Sequence, residues 1–109
     1  MKRQSEHLAN FYIAGFTYYQ GAQCMRHLKI GTRVKLKYEK GNPYDARAIE
    51  IYYKDYKLGY VPRVENRIFY KLLIMGYSGI FDAVIQQVDP TAHPEGQVRV
   101  VVHLQQNKK

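Results

Sequence analysis

The sequence predicts a mainly β domain with one or two short helices, folded as a small, partly open β-barrel. Several short runs are rich in β-branched and aromatic residues, and turn-forming residues and glycine-marked bends separate them. One stretch, after Pro62, changes to the helical period of apolar residues. The chain has 109 residues, which is enough for one domain with a core of its own.

The first predicted strand covers residues 10–16, where the sequence NFYIAGF is apolar and aromatic. Gly15 marks a bulge or a close backbone approach within it. A loop at 17–21 carries the adjacent Tyr18 and Tyr19, which point to opposite faces if strand geometry persists. The two rings either pack on the end of the barrel or stack on a ligand.

Residues 22–30 are ambiguous, and one interpretation is a short helix with three core candidates: Cys24, Met25 and Leu28. The clearest strand follows at 33–39, where strict alternation gives an apolar face of Val34, Leu36 and Tyr38 and a cationic face of Arg33, Lys35 and Lys37. The cations suit either a solvated edge protected by lysines or a ridge that follows a phosphate backbone. We expect Glu50 and Tyr52 of the next strand to lie beside this row and partly neutralise it.

The stretch 41–63 is predicted to form a turn, a strand, a hairpin and a second strand. In the turn, Pro43 restricts Asn42, and Asp45 can bond its own backbone two residues on. The strands are 48–53 and 58–61, with a polar reversal between them. Their ends place four side chains where they can converge on a ligand: Tyr44, Asp45, Tyr60 and Arg63.

After Pro62, apolar residues recur at helical spacing, and we predict a helix that buries Val64, Ile68, Leu72 and Met75, with Phe69 and Leu73 beside them. A basic row runs along one side of this helix at Arg63, Arg67 and Lys71. Such a row usually faces solvent, although Arg63 lies at the positive end of the helix beside the turn, where a phosphate would be held. Strands at 81–88 and 97–104 follow, separated by a loop.

We predict a single domain at 9–104, with flexible tails at 1–8 and 105–109. The one cysteine cannot form an internal disulfide, which favours a reducing compartment. No apolar run approaches the ~20 residues of a membrane span, and the first residues lack the apolar region of a signal peptide. A cytoplasmic protein without a membrane partner is therefore expected.

Positive charge is concentrated in the middle of the chain. The net charge is +8, and the span from Arg26 to Lys71 holds twelve basic and five acidic residues, or +7. Eleven tyrosines and no tryptophan accompany this charge. The combination suits a groove that neutralises phosphates and stacks bases, or equally a basic surface with tyrosines half in the core.

Catalytic and metal-binding patterns are missing from the sequence. The four histidines have no metal-ligand spacing relative to one another or to the cysteine. Two residues after Glu50, where one class of metal-dependent nucleases needs lysine, the chain has Tyr52. No phosphate loop of the Walker type and no nucleophile elbow is present. We therefore expect a non-enzymatic protein without a metal or cofactor.

Three blocks carry a resemblance to a known family: GFTYYQG at 15–21, NPYD at 42–45 followed by Ala48 and Ile49, and GYVPR at 59–63. They resemble the signature of the HIRAN domain, which occurs in some Swi/Snf-type DNA translocases and in short stand-alone bacterial proteins. The resemblance covers residues 9–104. It implies a barrel related to the OB-fold, in which a curved sheet and its loops hold single-stranded DNA.

The resemblance also implies that the domain captures a 3′-hydroxyl end, in DNA repair or replication-fork processing, with a translocase, helicase or nuclease acting in trans. By position, Tyr18 and Tyr44 would stack on the terminal bases or sugars, and Asn42 would bond a base edge. Asp45 would accept the terminal hydroxyl. The remaining candidate nucleic-acid contacts are Tyr19, Lys35, Tyr60, Arg63 and Arg67.

The alternative from another class is a protein-interaction module that docks an extended peptide in a tyrosine-lined groove. Acidic residues that would attract a basic peptide are scarce in this region of the chain. A salt titration separates the two hypotheses, because phosphate binding falls steeply with ionic strength.

Overall fold

The computed structural model describes residues 4–106. It contains six strands, β1 (Ser5–Tyr12), β2 (Arg33–Tyr38), β3 (Ile49–Tyr53), β4 (Tyr56–Tyr60), β5 (Phe81–Val88) and β6 (Val98–Gln105), and two α-helices, α1 (Gly21–Cys24) and α2 (Asn66–Ile74). Neighbouring strands are antiparallel, in the order β1-β6-β5-β2-β3-β4. The prediction of a mainly β fold with one or two short helices is confirmed.

The two ends of this sheet meet at Ala14, two residues after β1. The backbone amide of Ala14 donates a hydrogen bond to the carbonyl oxygen of Tyr60, and the amide of Tyr60 donates one to the carbonyl oxygen of Ala14. The distance from nitrogen to oxygen is 2.9 Å in both bonds. Gly59 permits this approach, because a Cβ atom there would lie 2.4 Å from the Ala14 carbonyl oxygen. The sheet therefore curls into a barrel that a single bridge joins, which confirms the predicted partly open barrel.

The core lies inside the curled sheet and is covered by α2. Phe69 of α2 is fully buried and packs against Phe11 and Phe81, with ring centroids 6.0 and 5.3 Å away. In β2, Leu36 is buried while the cations of the other face are exposed, so the predicted alternation is confirmed. Cys24 and Leu28 of the ambiguous segment are also buried, at the end of α1 and just beyond it.

The predicted helix after Pro62 and the burial of Phe69 and Leu73 are confirmed, but the main apolar row of the prediction is wrong. The helix begins at Asn66, because residues 63–65 form a turn, and it buries Asn66 and Phe69 with Leu73 packed on the core. Three of the four residues expected in the core are exposed: Val64 (91%), Ile68 (43%) and Met75 (69%). Two apolar rows compete on this helix, and the row with the large aromatic ring buries more area than the aliphatic row.

The predicted chain ends are also corrected. β1 begins at Ser5, inside the expected tail 1–8, and pairs with β6, which runs to Gln105. Pairing satisfies the backbone groups of polar residues that show no apolar pattern in the sequence. Residues 13–16, expected to continue the strand, instead form the lone bridge and the start of a 3-10 turn. The rest of the expected tails, 1–3 and 107–109, lies outside the described residues.

Candidate nucleic-acid interface

A cleft of about 490 Å³ opens where the turn after β2 faces the end of β4 and the segment after β1. It collects side chains from parts of the chain that are far apart in sequence. Six of the nine predicted contact residues line it: Tyr19, Asn42, Tyr44, Asp45, Tyr60 and Arg63. The cleft is therefore the candidate site.

Asn42 holds the shape of the turn that forms one wall. Its Oδ1 accepts hydrogen bonds from the backbone amides of Tyr44 (2.8 Å) and Asp45 (2.9 Å). Its Nδ2 donates to Oε1 of Glu39 over 2.9 Å. Both ends of the amide are thus engaged within the protein, so Asn42 acts first as the residue that forms the turn.

Asp45 presents a carboxylate that several donors orient. Its Oδ1 accepts from the Arg47 amide (3.0 Å), and its Oδ2 accepts from Nδ2 of Asn66 (2.9 Å). Arg63 lies beside the same oxygen, with Nε 3.7 Å away, and donates through Nη2 to the Tyr44 carbonyl (2.8 Å). Asp45 therefore stabilises its turn and also lines the cleft.

Asn66 was missed by sequence reasoning. It is 1% exposed, and its Oδ1 has no hydrogen-bond partner within the described residues. The available signal was its position three and seven residues before Phe69 and Leu73, which puts it on the same helix face. The predicted buried row of Val64, Ile68, Leu72 and Met75 does not include Asn66.

Two tyrosine rings are open to solvent: Tyr44 lines the cleft, and Tyr18 lies beside Gly15 of the lining without being part of it. Tyr18 and Tyr44 are each 83% exposed, so both faces of each ring are open to a ligand. Tyr19 instead packs its edge against Tyr60, with centroids 5.7 Å apart. The adjacent pair thus divides into one open and one packed ring. Gly15, in the left-handed region at φ 71°, turns the chain between β1 and this pair.

Lys57 is the centre of a polar network beneath the cleft, and sequence reasoning missed it. Its Nζ lies 4.4 Å from the ring centroids of both Tyr19 and Tyr60, and it bonds the Tyr60 hydroxyl (2.7 Å). The same Nζ lies 3.1 Å from Oε2 of the buried Glu50. Tyr60 in turn donates to Oε1 of Glu39, which connects the network to Asn42 and the turn.

A β-bulge explains why this network was not foreseen. Residues 57 and 60 face opposite sides of a regular strand because side chains alternate. The pairing of β4 shifts register between Ile51 and Tyr52, which leaves Leu58 as an extra residue. Lys57 and Tyr60 consequently reach the same face. Glu50 and Tyr52 do pair with Lys37 and Lys35, as expected from the sequence.

The network shifts the ionisation of its members. Burial alone would lower the pKa of Lys57, but its hydrogen bonds with Tyr60 and Glu50 outweigh burial and raise that pKa above the usual value. Burial and the bond to Glu39 raise the pKa of Tyr60 to about 12. Hydrogen bonds from Tyr60 and Asn42 hold the pKa of Glu39 below its usual value. Lys57 is therefore a structural cation, and Arg63 is the cation that lines the cleft.

Three predicted contacts, Tyr18, Lys35 and Arg67, are not among the residues that line the cleft. Lys35 is exposed on the cationic face of β2, opposite Tyr52. Arg67 borders a separate concavity along α2. Within residues 4–106, no group of three or more histidine, cysteine or acidic side chains is arranged to hold a metal ion. No helix in that range is long and apolar enough to cross a membrane.

Comparisons with known proteins agree with this geometry. A crystal structure of a protein from Lactobacillus plantarum superposes with a TM-score of 0.80 over 97% of this chain and 100% of that chain, at 21% identity, which shows a shared fold. No curated protein matches the chain. The family model of the HIRAN domain matches residues 7–105, nearly the whole chain. The chain therefore belongs to the HIRAN domain family, whose members are generally DNA-binding modules.

Proposed function

We propose that the protein binds single-stranded DNA and that its cleft captures a 3′-hydroxyl end. The observation that carries this proposal is the carboxylate of Asp45, which lines the cleft together with the open ring of Tyr44 and the guanidinium of Arg63. A ligand for this arrangement needs a flat ring, a hydroxyl donor and a phosphate in close succession. A nucleotide at the 3′ end of a strand has all three.

The open rings of Tyr18 and Tyr44 support a preference for unpaired bases. Stacking on an aromatic side chain contributes ~1–3 kcal/mol per base and needs an exposed base face. Bases inside a duplex have their faces covered by neighbouring base pairs. We therefore expect single strands to bind more tightly than blunt duplexes.

The carboxylate supports selection for the end of the strand. A carboxylate accepts a hydrogen bond from a hydroxyl and repels a phosphate. Glu39 adds a second carboxylate to the lining of the cleft. An internal nucleotide or a 3′-phosphate would bring negative charge to the place where a terminal hydroxyl brings a donor.

The guanidinium of Arg63 is exposed and lies beside the Asp45 carboxylate. It is therefore the group that would bind the phosphate on the 5′ side of the terminal nucleotide. Arg47 is exposed on the same turn and could extend the basic rim of the phosphate path. We assign the protein a binding role in DNA repair or replication-fork processing. A translocase, helicase or nuclease would then act in trans on the captured end.

Fluorescence anisotropy with short labelled oligonucleotides tests the proposal. The ligands are one single strand with a 3′-hydroxyl, the same strand with a 3′-phosphate, and a blunt duplex, each at low and high salt. We expect the 3′-hydroxyl strand to bind at least about tenfold more tightly than the 3′-phosphate strand, because a hydrogen bond to a charged group is worth ~1.5–3 kcal/mol. Equal binding of the two strands would reject end capture.

The same titration decides between DNA and an extended peptide. Phosphate binding weakens steeply with salt because it releases counterions. Blunt duplex binding as tight as single-strand binding would reject the preference for single strands. Binding that is insensitive to salt would favour peptide docking.

A further inference from the structure

An apolar row on α2 and its preceding turn is exposed although it has the spacing of a buried helix face. Val64 is 91% exposed, and Ile68 and Met75 are 43% and 69% exposed, with the half-buried Leu72 between them. The opposite row of the helix, with Asn66, Phe69 and Leu73, packs against the core. The exposed row therefore contributes nothing to the core.

A row of cations lies next to the apolar row. Arg67 and Lys71 follow Arg63 at four-residue spacing and are exposed, while Glu65 is the acidic residue of this segment. We call the surface formed by Val64, Ile68, Leu72, Met75, Arg67 and Lys71 the α2 face. The α2 face is thus apolar along one line and positively charged along the next.

The α2 face is concave. A depression of about 300 Å³ is lined by Val64, Ile68, Arg67 and Lys71 together with Glu65. A second depression of about 420 Å³ shares Val64 and Glu65 and continues to Arg99 on β6. The two depressions meet at Val64 and Glu65, and a surface with this concave shape suits a rod-shaped ligand better than a flat one.

We propose that the α2 face docks an acidic amphipathic helix of a partner protein. Apolar side chains of that helix, at positions i, i+4 and i+7, would cover Val64, Ile68 and Leu72. Glutamates or aspartates on its flank would pair with Arg67 and Lys71. The cleft and the depression along α2 share no lining residue, so one domain has separate places for a strand end and a protein.

Charge argues against a second copy of this chain as the occupant. A two-fold pairing of α2 faces would bring the cations of each copy towards the same cations of the other, in a protein with a net charge of +8. The concave shape argues against an anionic membrane, which offers a flat surface. An acidic helix meets both the charge and the shape.

Isotope-edited NMR with a designed peptide tests this proposal. The probe is a helical peptide of about 18 residues, or about 27 Å of helix, with leucines on one face and glutamates on the rest. Two matched peptides serve as controls, one with lysine in place of glutamate and one with serine in place of leucine. The protein variants are Ile68→Ser and Lys71→Glu, with Ile30→Ser as control because Ile30 is also largely exposed but lies outside the α2 face.

We expect the acidic peptide to shift amide signals of α2 and both control peptides to bind at least about tenfold more weakly. Ile68→Ser and Lys71→Glu should each weaken binding of the acidic peptide about tenfold, while Ile30→Ser should leave this binding unchanged. Oligonucleotide binding by Ile68→Ser should equal that of wild type, which separates this proposal from the DNA site. The proposal is overturned if the lysine peptide binds equally well, if no peptide binds, if anionic vesicles bind in place of the peptide, or if Ile68→Ser abolishes a dimer.

Discussion

The side-chain amide of Asn66 donates a 2.9 Å hydrogen bond to Oδ2 of Asp45, across 21 positions of the chain. The bond joins the first residue of α2 to the turn after β2. Because Asn66 is almost fully buried and Asp45 lines the cleft, the position of the helix sets the direction of the carboxylate. The binding site therefore depends on a residue that does not line it.

We expect Asn66→Ala to weaken binding of 3′-hydroxyl oligonucleotides about tenfold, because the carboxylate loses the donor that orients it. The free energy of unfolding should fall by less than the ~1.5–3 kcal/mol of the lost bond, because the same change removes a buried oxygen without a partner in the described chain. Anisotropy and urea unfolding measure the two effects. Asn10→Ala is the control, since Asn10 bonds Arg99 away from the cleft. Unchanged end binding in Asn66→Ala would contradict this coupling.

Asp45→Asn should reduce the ratio of the affinities for 3′-hydroxyl and 3′-phosphate strands to about twofold. The charge that repels a phosphate is lost, while an oxygen that can accept from a hydroxyl is kept. The new amide would face the Asn66 amide, whose unpartnered oxygen can accept from it after rotation. Competition anisotropy with both strands measures the ratio. If Asp45 only stabilises its turn, the ratio of the two affinities stays at the wild-type value.

Tyr44→Ala should weaken single-strand binding by roughly 5- to 150-fold, the equivalent of one stacked base at ~1–3 kcal/mol. Its ring is 83% exposed and contributes little to the core, so the free energy of unfolding should change by less than about 0.5 kcal/mol. Tyr77→Ala is a matched control, because Tyr77 is exposed but does not line the cleft. Equal losses in the two variants would show that the cleft is not the stacking site.

Lys57→Met should lower the free energy of unfolding by about 3 kcal/mol, because it leaves the buried carboxylate of Glu50 without its cation. The double variant Lys57→Met with Glu50→Gln should recover most of this loss, since no uncompensated charge remains. Urea unfolding of the single and double variants measures both values. If the double variant is no more stable than Lys57→Met, the lost stability comes from packing against Tyr19 and Tyr60 and not from the unpaired charge.

Stability should fall at both extremes of pH. The pKa of Glu39 is lowered in the folded protein, so its contribution is present above the unfolded value near 4.5 and is lost as pH falls through the folded value. The pKa of Tyr60 is raised from 10 to about 12, so its contribution is lost as pH rises from 10 to 12. The raised pKa of Lys57 acts in the same alkaline direction. Urea unfolding at a series of pH values measures how the free energy of unfolding depends on pH. Tyr60→Phe should reduce this dependence on both the acid and the alkaline side.

The residues that the sequence predicted correctly are those whose local pattern agrees with their environment. Alternation in β2 identified Leu36 as buried, and turn chemistry identified the region of Asn42 and Asp45. These assignments need only neighbours in sequence. Six of the nine predicted contacts line one cleft, and these six were predicted from the ends of the elements together with the resemblance to the HIRAN domain.

The errors arise where distant contacts override local pattern. Val64 and Ile68 match a buried helix face as well as Phe69 does, and only docking onto the sheet selects between the rows. Lys57 reaches the same face as Tyr60 because of a bulge that is set by pairing with β3, and the sequence of β4 does not indicate this bulge. Ser5 is part of a strand because its backbone pairs with β6.

The bridge between Ala14 and Tyr60 gives the cleft a characteristic signature in amide hydrogen exchange. Its two hydrogen bonds are reciprocal, so opening the seam exposes both amides together, and their exchange should report one common free energy of opening. The same opening separates Tyr19 and Gly15 from Tyr60, which dismantles the cleft while β5 and β6 stay paired. A ligand held in the cleft would then slow exchange at residues 14 and 60 in parallel, although it touches neither amide.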